Sequence, residues 1–283
     1  MRVGIVQLAG TAEPGDERAL ADTRTRSVEQ LCAVFDQGAD LAVLPECALH
    51  RYVLDRPEDV RALAETVPGP TVEAWQGVSA ARGGYVVGGI LERDGDRFYN
   101  TAVVVGPEGL IGRYRKMHRF GWEQNWLEAG EGLILVTLRA FDVRLGVLVC
   151  YDLRFPEAVR ALAFQGMDIL AVPTTWTSIG KRTLWDAAGY CLQDHVAIAH
   201  AYQNHVAVVC ADRIGREGSV RFLGASIAVS PGGDVAVGPL PRDEESLAVA
   251  DMDLSSARQK TVGGAGNLWR DRRASYPVTE IEA

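Results

Sequence analysis

Residues Arg144–Glu157 read R-L-G-V-L-V-C-Y-D-L-R-F-P-E: an apolar run, a cysteine, a patch of charge, then a proline. The run R-L-G-V-L-V has the composition of a buried strand. Pro156 opens a helix through A-V-R-A-L-A-F-Q-G, because proline at the first helical position gives up no needed hydrogen bond. A strand passing at once into a helix is the unit of a layered α/β fold. Cysteine at such a break is ordinarily the last packed residue of the strand. A nucleophile reading of Cys150 therefore requires a base, an electrostatic stabiliser and a geometry that brings them together.

The same alternation extends in both directions. Toward the N-terminus lie R-V-G-I-V-Q-L, a helix through Glu17 to Gln37, the strand L-A-V-L-P, and a helix near Thr71 to Arg82 that follows the Pro-Gly-Pro at 68 to 70. Y-V-V-G-G-I-L-E and F-Y-N-T-A-V-V-V-G flank a turn at Asp94-Gly95-Asp96 and predict an antiparallel hairpin, so the sheet is expected to be mixed. Toward the C-terminus come D-I-L-A-V-P, a helix from about Leu184 to Asn204, V-A-V-V-C-A and a hairpin around Ser230 to Asp234. With no Pro-, Gly- or Ser-rich linker and no short-period repeat, residues 1–283 read as a single domain. From about Ser255 the periodicity weakens and the chain reads as an extended arm in need of a surface.

Composition narrows the classes of partner. A chain of 283 residues, 47% hydrophobic and 23% charged, has ample core for a soluble protein. A formal net charge of -8 with scattered Lys and Arg excludes a nucleic-acid or anionic-membrane surface, and no run approaches the ~18 apolar residues of a membrane span. The N-terminus lacks the apolar region of a signal peptide, so a cytoplasmic location is expected. Five cysteines at 32, 47, 150, 191 and 210, with no C-x-x-C pair, suit neither a disulfide framework nor a zinc site. His195, His200 and His205 recur every five residues, about 140° apart on a helix, and cannot share a face as metal ligands. No metal and no cofactor is expected; the partner is a small molecule or a second copy of the chain.

Three polar residues share one placement. Glu46 ends L-A-V-L-P-E, Lys116 ends G-L-I-G-R-Y-R-K and Cys150 ends V-L-V-C, each where a strand stops. The crevice beyond strand ends is the usual ligand site of α/β sheets. A shielded carboxylate can take the thiol proton, the thiolate can attack a carbonyl or nitrile carbon, and an ammonium can stabilise the charge that develops. Cys47 would point to the opposite face from Glu46 and is expected to be packing, as are Cys32, Cys191 and Cys210.

L-P-E at 44–46, G-R-Y-R-K-M-H at 112–118 and C-Y-D-L-R-F-P-E at 150–157 resemble, in order, the three signature segments of the nitrilase superfamily, the carbon–nitrogen hydrolases. P-G-P near 69, F-Y-N-T-A near 100, A-V-P-T-T-W near 174 and the S-P-G-G hairpin resemble further landmarks of that family. The resemblance implies a four-layer αββα sandwich with Glu46 as general base, Lys116 as stabiliser of the tetrahedral intermediate and Cys150 as nucleophile forming a thioester. It also implies the backbone N–H of Tyr151 as a second oxyanion donor and a supporting glutamate, for which Glu123 is preferred to Glu128. C-Y-D-x-R-F looks more like the amidase branches related to Nit proteins than like true nitrilases. The expected activity is therefore cofactor-free hydrolysis of a small linear carboxamide to carboxylate and ammonia, by a homodimer or higher oligomer whose arm takes part in pairing.

Alternatives stand beside that reading. A carbamoylase or a nitrilase would use the same residues, and a non-catalytic binding protein would keep the fold alone. A Cys–His mechanism would recruit His118, the one histidine within a signature segment. The segments His50-Arg51-Tyr52 and His200 to Asn204 depart from the family pattern and are expected to face the substrate or the dimer interface. Tyr52 is accordingly a candidate substrate-binding residue. Trp176 reads equally as core or pocket wall and is the second such candidate. Arg51 and Arg154 could each meet a substrate carboxylate, with a structural ion pair the expected role.

Overall fold

The computed structural model describes residues 1–178, 185–273 and 275. Two six-stranded mixed sheets stack face to face. Across the first, the strands run Ser246–Asp251, Arg2–Gln7, Leu41–Val43, Tyr85–Asp94, Arg97–Gly106 and Gly109–Arg115; across the second, Val235–Val237, Ile227–Val229, Ala207–Ala211, Ile169–Pro173, Val143–Val147 and Ile134–Leu138. Each sheet has a parallel centre and antiparallel flanks. Helices Glu17–Asp36 and Pro70–Arg82 cover the outer face of the first sheet, and helices Pro156–Phe164 and Leu192–Asn204 cover the second. The layers are helix, sheet, sheet, helix, the αββα sandwich.

Period-two side-chain alternation builds these layers. Along the first strand Val3 and Ile5 join the apolar core between the sheets, while Val6 turns outward to Leu31 and Val34 beneath the helices. The second sheet answers with Leu145, Val147, Ile169, Ala171 and Val209, all fully buried in the same central core. The hairpin at Asp94 pairs Asp94 with Arg97 across Gly95, whose φ of 62° takes the left-handed conformation such a turn requires.

Helix Leu192–Asn204 is shorter than the sequence predicts. Leu184 lies outside the described residues, and Trp185 to Cys191 form a turn in which the Asp186 carboxylate accepts from the backbone N–H groups of Ala188 and Tyr190, both at 2.9 Å. Gly189 at φ 90° and a bond from Cys191 N–H back to Asp194 at 2.8 Å fix the later start. The sequence reading also passed over the short helix Pro57–Leu63 and the edge strand Ile134–Leu138.

The tail from Ser255 is anchored to its own chain at several points, while residues 261–265 and 270–273 are exposed. Arg258 pairs with Asp142 and Asp168, Lys260 donates to the carbonyls of Asn204 and His205 at the end of the 192–204 helix, and Trp269 packs on Phe164 with ring centroids 4.6 Å apart. Burial brings the Lys260 ammonium down to about 8.

Candidate active site

Each predicted residue sits just past a strand of the stacked sheets. Leu41–Val43 leads to Glu46, Gly109–Arg115 runs directly into Lys116, and Val143–Val147 leads through Leu148 and Val149 to Cys150. The turn carrying Glu46 passes so close over the neighbouring strand that a Cβ on Gly89 would fall 2.5 Å from the Glu46 Cα; glycine is required there. Glu46 N–H donates to the Thr174 carbonyl at 3.3 Å, tying this turn of the first sheet to the strand end of the second. Cys150 takes φ 45°, a left-handed conformation unusual for a side chain of this kind, at the head of a short 3-10 turn.

The Lys116 ammonium donates to Glu46 Oε1 at 2.7 Å and to Glu123 Oε1 at 2.9 Å, with all three side chains wholly buried. Asn100 spans the same two carboxylates, its Nδ2 donating to Glu46 Oε1 at 2.6 Å and Glu123 Oε1 at 2.8 Å. Glu46 Oε2 accepts from the Thr175 hydroxyl. Glu123 Oε1 also accepts from the Tyr52 hydroxyl at 3.2 Å, and its Oε2 from Phe120 N–H at 2.8 Å. Glu128, the competing glutamate, is exposed.

Charge arithmetic explains the proton affinities. One ammonium facing two carboxylates leaves the buried cluster a full negative charge when both are ionised. Burial raises the Glu46 carboxyl above the ordinary range, against the pull of Lys116 and with the push of Glu123. Burial alone would lower the Lys116 ammonium, but Glu123 and Glu46 outweigh it and hold it well above its usual value, so the side chain stays charged. The Cys150 thiol is pushed well up, first by burial and then by Glu46, while Lys116 and a hydrogen bond from the Thr175 backbone N–H pull it down. Glu46 and Cys150 are thus two high-affinity sites for one proton in one electrostatic field, the arrangement a carboxylate base and thiol nucleophile require.

A third buried carboxylate braces the Cys150 turn. Asp152, fully buried, accepts from Val149 N–H at 3.0 Å and the Tyr114 hydroxyl at 2.8 Å on one oxygen, and from His118 N–H at 2.9 Å on the other. It joins the Cys150 turn to both flanks of Lys116. His118 Nδ1 lies 2.8 Å from that second oxygen, and the ring stacks on Phe155 at 3.6 Å; this is where the structure places the histidine of the Cys–His alternative. On the other side, Asp212 accepts from Thr174 Oγ1 at 2.9 Å and from Trp176 N–H at 2.8 Å, fixing the turn that presents Thr175. Burial pushes the Asp212 carboxyl up to about 7.

Cys150 opens on a cavity of about 570 Å3, and Trp176 and Tyr151 are among its walls. Tyr52 does not line it; the ring packs on Trp122 and Phe222 behind the cluster. Cys47 shares that packing, as the alternation predicts. The three histidines of the 195–205 stretch go to separate partners: His195 to Asp186, His200 to the Leu153 carbonyl and His205 near Lys260. Arg51 pairs with Glu13 at 3.1 Å, whereas Arg154 is exposed at the cavity with no ion-pair partner among the described residues, contrary to the ion pair expected for it. The sequence reading missed Asn100 and Thr175, although F-Y-N-T-A and A-V-P-T-T-W were both singled out; each stands beside or within a strand and aims a neutral polar group at Glu46.

Accessibility orders the thiols. Cys150 is 8% exposed and faces the cavity, Cys47, Cys191 and Cys210 are fully buried, and Cys32 is half-buried on a helix. Iodoacetamide is therefore expected to label only Cys150 and Cys32, the two thiols it can reach, leaving the other three unmodified until the protein unfolds. Peptide mapping by mass spectrometry reads the labelled sites, and equal labelling of all five would contradict it.

No helix among the described residues is long and apolar enough to cross a membrane. The sequence pattern of the carbon–nitrogen hydrolases matches residues 2–261. A protein of Pyrococcus abyssi named nitrilase is 36% identical over 245 residues, spanning 85% of this chain and 87% of the relative. An (R)-stereoselective amidase of a Pseudomonas species is 33% identical over 260 residues, covering 91% and 87%. Among solved structures, a mutant of the amidase from Nesterenkonia sp., carrying the acetamide moiety of fluoroacetamide on its active-site cysteine, superposes with a TM-score of 0.74 at 25% identity over 97% of this chain and 94% of that one. Fold, ordered strand-end residues and relatives agree, and the chain belongs to the carbon–nitrogen hydrolase family, enzymes that hydrolyse carbon–nitrogen bonds.

Proposed function

We propose that the protein hydrolyses a small-molecule carboxamide to carboxylate and ammonia through a thioester on Cys150. The observation that carries this reading is the buried Glu46–Lys116–Glu123 cluster, whose field acts on a thiol that opens on a cavity. Glu46 takes the Cys150 proton as sulfur attacks the carbonyl carbon, and the oxyanion forms against Lys116 and the backbone N–H of Tyr151. The C–N bond breaks as the Glu46 carboxyl returns its proton to the leaving nitrogen, releasing ammonia. Water then attacks the thioester and gives a proton to Glu46; the carboxylate departs, and sulfur leaves as thiolate to recover that proton. Glu123, bonded to Lys116, Asn100 and Tyr52, holds the ammonium in place and balances its charge. The active-site cysteine adduct of the Nesterenkonia amidase supports the role given to Cys150.

Ammonia release from primary amides, N-carbamoyl amino acids and nitriles tests the reading. Cys150→Ala is expected to lower the rate at least ~10⁴-fold, because the rest of the machinery acts only on a bond the nucleophile has begun to attack. Quenched wild type should carry the mass of one acyl group on the peptide containing Cys150. Turnover of nitriles alone, the activity named for the Pyrococcus relative, would replace the amide reading. We also infer a homodimer in which the 255–283 arm takes part; a monomer mass by light scattering at micromolar concentration would remove it.

A further inference from the structure

We propose that the acyl group accepted by Cys150 is apolar and bulky, an aryl- or branched-alkyl carboxamide bearing no positive charge, and that Leu192 selects for it. This deepens the amidase reading and rests on it. With ammonia as leaving group, everything else in the substrate is acyl, so the cavity beside the thiol is the acyl site. At about 570 Å3 it lies in the range of pockets that enclose drug-sized molecules, well beyond the short linear amide expected from the sequence.

Much of its lining is apolar, although Arg154, Gln193, His195 and His200 also reach it. Helix Leu192–Asn204 contributes Leu192, Val196 and Ala199, spaced i, i+4 and i+7 on one helix face. Leu153 and Pro156 from the nucleophile's segment, Phe120 and Trp176 add to the apolar lining. Leu192 is 54% exposed, one of few large apolar side chains left open among the described residues, and it lies on this cavity, where an entering apolar group would cover it. The charge lining the cavity has one sign. No Asp or Glu is among its described walls, and Arg154 there has no ion-pair partner among the described residues; of the acids behind those walls, Asp186 is already held by His195 at 2.9 Å and Glu46 by Lys116 at 2.7 Å. A cationic acyl chain would meet a guanidinium and find no carboxylate, a desolvation left unrepaid.

The test compares kcat/KM for 3-phenylpropionamide, isovaleramide, acetamide and an ω-amino amide in wild type, Leu192→Glu and Leu192→Ala. Wild type should favour the aryl amide over acetamide by at least about tenfold, the scale on which apolar pockets discriminate, and should reject the ω-amino amide. Both variants should lower the aryl-to-acetamide ratio by about tenfold, chiefly through KM, and Leu192→Glu should gain turnover of the ω-amino amide. Because Leu192 is exposed, both variants should fold, and circular dichroism checks that they do. A wild type that prefers acetamide, accepts the ω-amino amide equally, or keeps its ratio on substitution overturns the inference and leaves the amidase reading intact. Failure to release ammonia from any amide, with no acyl-enzyme detected, overturns both.

Discussion

Lys116→Met is expected to be inactive and substantially less stable, losing about 3–5 kcal/mol, because it strips the single counter-charge from two wholly buried carboxylates. Methionine matches the length of the stem, so the loss would be electrostatic, with little contribution from a cavity. Glu46 and Glu123 would then sit within reach of one Asn100 amide with no cation, and at least one would have to bind a proton for the chain to fold. Urea midpoints should accordingly rise as pH is lowered in this variant, since protonation relieves the exposed repulsion. The rate loss should reach ~10³-fold, the cost of removing one preorganised stabiliser of an oxyanion. The double variant Lys116→Met with Glu123→Gln separates the two effects: it should regain part of the stability, because one buried charge is gone, and none of the activity. A single variant as stable as wild type at neutral pH would show that the cluster is not the buried ion network described.

The ladder of strands was legible because apolar runs and turn residues carry their own signal. L-A-V-L-P and D-I-L-A-V-P could only be buried strands, and Pro156 could only begin a helix. The candidate site was legible for a related reason: Glu, Lys and Cys are costly at the rim of a core, so their appearance at three strand ends stands out against the apolar background. Asn100 and Thr175 lack that contrast. A neutral amide or hydroxyl beside a strand looks the same whether it meets solvent, backbone or a buried carboxylate, and only the folded register shows Asn100 spanning Glu46 and Glu123. Arg154 was obscure for the opposite reason, since a charged residue in an acidic chain suggests a nearby partner that the fold does not supply. The start of the 192–204 helix was missed because it is set by Asp186, Gly189 and Asp194 acting through backbone hydrogen bonds, which leave the apolar periodicity unchanged.

Glu46→Gln should move two measurements of the same thiol in opposite directions. Glu46 raises the proton affinity of Cys150, second only to burial, while Lys116 lowers it. Replacing the carboxylate by an amide removes the push and leaves the pull, so the thiol pKa falls and the thiolate fraction at a given pH rises. Iodoacetamide, which needs only thiolate, should react with Cys150 faster in the variant at neutral pH. Amide turnover should fall by ~10²–10⁴-fold, because the leaving nitrogen has lost its acid and the attacking water its base. In wild type, kcat/KM should decline on the acid side over a range above that of an ordinary carboxylate, as burial-raised Glu46 takes up a proton and can no longer accept one from sulfur. That limb should vanish from the residual activity of the variant. A purely structural Glu46 would slow alkylation and turnover together and leave the pH profile unshifted. Faster alkylation with collapsed turnover is the signature of a base that both withholds the thiolate at rest and releases it on demand, and the buried excess of one negative charge is what lets a single carboxylate do both.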